Sequence, residues 1–237
     1  MCGVFAFVSN GGKMDLGRVK RIAEVTEQRG PHAFGFAWVD SKGRLHCFKQ
    51  TGRITDSLGL LAMAADARML IGHCRYATHG DYRSNVNNHP HPADGGWVVH
   101  NGTLPEYQRV IDRHGLAPVT HCDSEVLGLL VEQLSGSLTT RCAEAVRLAA
   151  PPAGGLFDQS QPLVMLGLWS RPGRLVVVRR GNPLHFGKNK NGLYIGSLAD
   201  ELPGKPQAIR NGSVHTFGYQ KDVVYNSLAA VWKRVAG

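Results

Sequence analysis

The residues best placed to do chemistry stand at the start of the chain, in "MCGVFAFV". Removal of Met1, expected because cysteine is small, makes Cys2 the first residue, with a thiol and a free α-amine on one carbon. A thiolate is the strongest nucleophile a protein has without a cofactor, and an α-amine with an unperturbed pKa of about 7.7–8.0 accepts a proton near neutrality. One residue then supplies both nucleophile and base. Gly3 adds no side chain beside the thiol, and the strand-forming run behind it would hold the terminus rigid. The plainer alternative is a Cys2 that merely fills a core position behind a processed methionine.

A second concentration of polar groups is "GHCRYATHGDYRSNVNNHPH" at 72–91, followed by "HNGT" and "HCDSEV". An amide-hydrolysing site needs a nucleophile, donors for an oxyanion and charged groups to grip the substrate. Asn101 offers a side-chain amide donor, and Gly102 an N–H that a ligand reaches without meeting a side chain. Arg75 can fork a carboxylate, and Asp123 can accept from an ammonium group. Each has a structural rival. Asn-Gly is a strong turn dipeptide, Arg75 can be a surface strand residue, and Asp123 can cap the helix behind it. His79, His89 and His91 can be loop histidines bonded to backbone carbonyls. The spacing of His73, Cys74 and the "HPH" histidines fits no standard ligand pattern, so no metal is expected.

Alternation and β-branched or aromatic enrichment mark strands at "GVFAFV", "AFGFAWV", "MLIGHCRYAT", "GWVVHNG", "LVMLGLWS", "RLVVVRRG", "GLYIGS" and "SVHTFGY". Helical spacing is clearest in "LGRVKRIAEVTEQ", "SEVLGLLVEQL" and "TRCAEAVRLAA". Thr103 with Glu106 resembles a capping box opening "LPEYQRVIDRHG", which Gly115 closes. "PPAGG" at 151–155 reads as a turn between a helix and the later strands. A mostly antiparallel sheet with helices packed on it follows, an α+β fold.

With 237 residues and 43% hydrophobic content, the chain suits one large domain. The opening apolar stretch ends at Val8, before "SNGGK", and no segment reaches membrane length, so neither a signal peptide nor a membrane span is expected. Cys2, Cys47, Cys74, Cys122 and Cys142 are scattered, without C-x-x-C spacing, which argues against a disulfide framework and for a reducing cytoplasm. The formal charge of +9 allows an ordinary solvated surface or a polyanionic partner, the basic residues being spread rather than massed.

The ordered set "CGVFAF", "RGPHAFGFAWVD", "GHCRYATHGD", "NVNNHPH", "VVHNGT" and "CDSEVLGLLVEQ" resembles the class II glutamine amidotransferase domain of the N-terminal-nucleophile hydrolase superfamily, most of all the glutaminase half of glucosamine-6-phosphate synthase. The likeness runs from Cys2 to the neighbourhood of Gly218, since "VVVRRGNPLHFG" and "GLYIGSLADE" echo later strands of that domain. It implies a four-layer αββα sandwich, two antiparallel sheets between helical layers, with the terminus at the edge of the sandwich.

The resemblance also implies roles. Cys2 attacks the glutamine carboxamide, its own amine relaying the proton. Asn101 and Gly102 stabilise the oxyanion, ammonia leaves, and water resolves a γ-glutamyl thioester without any cofactor. Arg75 binds the glutamine α-carboxylate and Asp123 its α-ammonium. Thr78 and His79 sit in the covering loop, Arg29 supports the terminus, and His89 belongs to the loop lining the pocket. Tyr76 stands where the synthase has a tryptophan at the start of its ammonia passage, so coupling to an acceptor is altered. Residues 2–237 read as one domain with no synthase domain after it. The expectation is a standalone subunit that passes ammonia to a separate acceptor protein, serving nucleotide or nucleobase modification or an amino-sugar pathway. A γ-glutamyl amide hydrolase of the same fold and a non-catalytic binding module are the alternatives.

Overall fold

The computed structural model describes residues 2–151, 161–219, 223–227 and 231. Its strands are β1 (Gly3–Ser9), β2 (Ala33–Val39), β3 (Leu45–Thr51), β4 (Met69–Arg75), β5 (His91–Ala93), β6 (Gly96–Asn101), β7 (Leu163–Trp169), β8 (Arg174–Arg180), β9 (His185–Asn189), β10 (Gly192–Gly196), β11 (Gln207–Ala208), β12 (Ser213–Phe217) and β13 (Val223–Ser227). The α-helices are α1 (Leu16–Glu27), α2 (Tyr107–His114), α3 (Glu125–Gln133) and α4 (Leu138–Ala149), with a 3-10 helix over Thr55–Ala64.

One sheet runs β11-β9-β10-β1-β4-β2-β3 and the other β13-β12-β8-β7-β6-β5, with antiparallel neighbours throughout. They stack face to face. Val4, Ala6 and Val8 of β1 meet Val164, Leu166 and Val177 of the second sheet in the central layer. Phe5 and Phe7 point the other way, onto Val19 and Ile22 of α1 and Leu61 of the 3-10 helix. On the far side, Val98, Met165, Val176 and Val178 are covered by α3 and α4. These layers make the expected αββα sandwich. Strands covered on both faces need apolar residues at every position, which is why "GVFAFV" and "LVVV" show little polar alternation.

The helix ends follow from local chemistry. Asp15 accepts from the Arg18 N–H at 2.9 Å to start α1, and Ser137 accepts from the Thr140 N–H at 3.2 Å to start α4. Gly115, at φ 59°, closes α2 in the left-handed conformation. The Thr103–Glu106 capping box does not form. α2 begins only at Tyr107 without a side-chain cap, and the Leu104 N–H ahead of it donates at 2.8 Å to the Asp123 carboxylate. Asp123 does not cap α3 either.

All eight expected strands are present, although β4 stops at Arg75. The sequence patterns do not announce β3, β5, β9, β11 or β13. Of these, β3, β5, β11 and β13 sit at sheet edges, where one neighbour suffices and an apolar run is not required. The "PPAGG" turn lies, apart from Pro151, outside the described residues. Among the described residues no helix is long and apolar enough to cross a membrane.

Candidate active site

The first strand delivers Cys2 to one end of the sandwich. β1 is paired on both sides, by β10 and by β4, and Gly3 lies opposite Cys74 in the second ladder. A Cβ on Gly3 would fall 2.5 Å from Thr26 Cγ2, so the glycine lets α1 press against the terminus. Arg29, just past α1, donates through Nε to the Cys2 carbonyl at 2.8 Å and fixes the terminal residue from the helix side. Tyr76 holds the sulfur itself: its N–H donates to Sγ at 3.3 Å, and the thiol donates to its carbonyl at 3.4 Å. Burial pushes the Cys2 thiol above its ordinary pKa, and the Tyr76 N–H pulls against that.

Cys2 opens on a cavity of about 290 Å³ whose wall includes Tyr76, Thr78, Asn101, Gly102 and Asn182. Its size suits a ligand on the amino-acid scale. Asn101 ends β6 and is fully buried, yet among the described residues neither its Oδ1 nor its Nδ2 has a hydrogen-bond partner. An amide buried without a partner costs about 1–3 kcal/mol, so this side chain is poised for something from outside the chain. Gly102 follows it, and a Cβ there would lie 2.6 Å from His100 Nε2 and 2.9 Å from the Pro162 carbonyl oxygen. Only glycine lets the backbone pass at this point. A larger hollow of about 630 Å³ lies at the other end of β1, beside Ser9, Lys13, Asp66, Arg68 and Tyr219, one strand length from the thiol.

Cys2, Thr78, Asn101 and Gly102 therefore line one cavity, and the charged candidates Arg75 and Asp123 are not among its lining residues. Arg75 is buried at the end of β4, donating to Asn88 Oδ1 at 2.6 Å, to the Gly80 carbonyl at 3.1 Å and to the His79 carbonyl. Its guanidinium thus ties down the loop after β4. Asp123 accepts from Leu104 N–H, and its Oδ2 is 3.8 Å from His79 Nδ1, beyond hydrogen-bond reach. His79 rests edge-on against Tyr107, with ring centroids 5.3 Å apart. Thr78 is exposed.

His89 is interior, not part of the cavity wall: its ring stacks on His73 at 3.8 Å and meets His91 edge-on at 4.7 Å. His89, His91 and Cys122 bring ligand-type atoms within 4.8 Å of one another, all buried. Cys122, not Cys74, is the sulfur beside the "HPH" histidines. Arg75 Nη2 lies 3.9 Å from that sulfur, and a fixed cation so close opposes a divalent ion.

Burial holds all the members of this histidine group neutral: it takes His73 down to about 3, His89 and His91 well below their ordinary value, and His100 down as well. Arg75 adds to the effect on the first three. A histidine with a depressed folded-state pKa leaves the native state unprotonated while the unfolded chain takes up protons. Stability is therefore full above about pH 6.5 and falls as pH drops from there toward 3, by about 1.4 kcal/mol per pH unit for each such histidine. The melting temperature is expected to fall steeply between pH 6.5 and 5, and His91→Phe to flatten that slope. Calorimetry across this range checks it; equal slopes would contradict it.

Sequence reasoning passed over several residues that organise the site. Lys49 Nζ donates to the carbonyls of Asn88 at 2.9 Å, Val86 at 3.3 Å and Pro90 at 3.4 Å, sewing the "NVNNHP" loop to the edge of the first sheet. His32 stacks between Tyr76 and Tyr82, each at 4.8 Å, and accepts from the Ala77 N–H at 3.1 Å. Asn182 bonds to the Asn101 carbonyl. His32 and Asn182 lay only inside longer runs, "RGPHAFGFAWVD" and "VVVRRGNPLHFG", and Lys49 in no run with a signal of its own.

No protein-family model matches the chain. Over 203 residues it is 32% identical to the glutamine–fructose-6-phosphate aminotransferase of Geobacillus kaustophilus, covering 83% of this chain and 30% of that one. It is 30% identical over 208 residues to the Escherichia coli K12 protein of that name, covering 83% and 32%. The chain thus spans about a third of the length of the curated relatives it matches. Among solved structures, the glutamine phosphoribosylpyrophosphate amidotransferase of B. subtilis shares the fold with a TM-score of 0.76 at 19% identity, over 96% of this chain and 49% of that one. A glutamine aminotransferase class-II domain protein from Silicibacter pomeroyi matches with a TM-score of 0.63 at 17% identity, over 95% and 99%. With the two-sheet sandwich and a cysteine at the head of its central strand, these similarities make the chain a member of the class II glutamine amidotransferase domains, of N-terminal-nucleophile hydrolase fold.

Proposed function

We propose that this chain hydrolyses the side-chain amide of L-glutamine, with Cys2 as the covalent nucleophile. The observation that carries the reading is the cavity wall shared by Cys2 and Asn101, whose buried amide has no partner among the described residues. The relatives' names supply glutamine as the amide.

Burial keeps the thiol protonated near neutrality, so a base must take its proton. The α-amine of Cys2, free once Met1 is removed, is that base. Sulfur bonds to the amide carbon, and the carbonyl oxygen becomes an oxyanion facing the Asn101 Nδ2 and the Gly102 N–H. The carbon–nitrogen bond breaks, nitrogen takes the proton from the amine and leaves as ammonia, and a γ-glutamyl thioester remains. Water adds to it, giving glutamate and restoring the thiol. Arg75 and Asp123 do not line the cavity. For them to bind the α-carboxylate and α-ammonium, the Arg75 loop contacts must exchange for substrate contacts, which links substrate entry to the order of residues 76–82 under Thr78 and His79. The ammonia passes to an acceptor, as the aminotransferase names of the relatives imply.

The test is to incubate the chain, with its terminal methionine removed, with glutamine and measure glutamate and ammonia. Equal amounts of each, with a γ-glutamyl adduct on Cys2 in acid-quenched samples, are expected. No adduct and no glutamate would refute the reading. Faster turnover of γ-glutamyl amines than of glutamine would move the substrate class to those amides.

A further inference from the structure

Asn182, two residues beyond β8, is buried on the wall of the Cys2 cavity. Its Nδ2 donates to the Asn101 carbonyl at 2.9 Å and to the Pro162 carbonyl at 3.1 Å. Pro162 is also the residue whose carbonyl leaves no room for a Cβ on Gly102. One side chain thus holds the backbone on both sides of the Asn101–Gly102 pair.

Those two bonds use both amide protons and fix which end of the amide is nitrogen. The oxygen must then point away from the two carbonyls, and no described residue donates to it. It is a pure acceptor belonging to a cavity-lining residue. In the same cavity, Asn101 Nδ2 and the Gly102 N–H are donors. A carboxamide is the group that answers both, since its oxygen accepts and its nitrogen carries two protons. A carboxylate or an ester has nothing to give the acceptor.

We propose that Asn182 is a specificity-determining residue whose Oδ1 accepts a hydrogen bond from the leaving-group nitrogen of the substrate carboxamide, while its Nδ2 keeps Asn101 in place. The inference rests on the amide-hydrolysis reading. As the carbon–nitrogen bond breaks, the departing nitrogen gains a proton and stays a donor, so the contact persists through the transition state. It also disfavours the product, because the glutamate carboxylate would set an anionic oxygen against Oδ1.

The test compares kcat/KM for glutamine with that for the γ-methyl ester of glutamate, in the wild type and in Asn182→Ala and Asn182→Leu. Both substrates are expected to slow, because Asn101 loses its tether, but the glutamine-to-ester ratio should fall about tenfold, the scale of one lost hydrogen bond. Both rates come from one preparation, so a partly unfolded variant lowers them equally and leaves the ratio untouched. An unchanged ratio in both variants would overturn the proposal and leave Asn182 a packing residue. If the wild type turned over neither substrate, the amide-hydrolysis reading itself would fall.

Discussion

Cys2→Ala is expected to lower glutamine turnover on the order of 10⁶-fold, the scale on which removal of a covalent nucleophile acts. The fold should survive, because among the described residues the thiol bonds only to the Tyr76 peptide and the neighbouring Arg29 contact is to the backbone. A diazoketone analogue of glutamine should add once to the wild type and not at all to the variant, read by intact mass. A preparation that keeps Met1 separates the two halves of the mechanism: it has the same thiol in the same clamp, but an acylated nitrogen that cannot serve as base. It too should be inactive. Substantial glutamate release by the alanine variant would end the proposal that this sulfur reacts.

Asn101→Ala is expected to cost about 10²–10³ in kcat, or roughly 2.7–4 kcal/mol of transition-state stabilisation, with KM little changed. An oxyanion donor acts on charge that exists only in the transition state, so substrate binding should barely register its loss. Thermal stability should hold or rise, because the buried Asn101 amide has no partner among the described residues and its removal leaves none of their groups unpaired. Steady-state kinetics and a melting curve on the same sample check both halves. A raised KM with unchanged kcat would make Asn101 a ground-state binding residue.

The parts of this molecule legible in its sequence are those where one residue type has one physical reason. Long apolar runs such as "GVFAFV" and "LVMLGLW" announced central strands, since only strands covered on both faces need them. Cys2, Asn101 and Gly102 were legible as candidates, and one cavity brings them together with Thr78. Edge strands such as "LHCFKQT" were not, because a half-buried strand mixes polar and apolar residues without a clear period. Nor was the engagement of Arg75, whose partners are carbonyls of a loop that only the folded chain brings round. His89 resembled a loop histidine because its neighbours His73 and His91 become a stack only once the sheets close. Asn182 had no signal of its own for a similar reason: its partners are carbonyls that only the folded chain brings beside it.

With a ladder on each flank of β1 and a helix laid across it, the sulfur cannot be swung in or out without prising apart the middle of the molecule. A throttle on the proposed turnover would therefore work by admission, through the stretch that Arg75, Lys49 and the Tyr76–His32–Tyr82 stack hold in place. A bound effector or companion protein would change how often the door stands open, and leave the reactivity of what lies behind it alone.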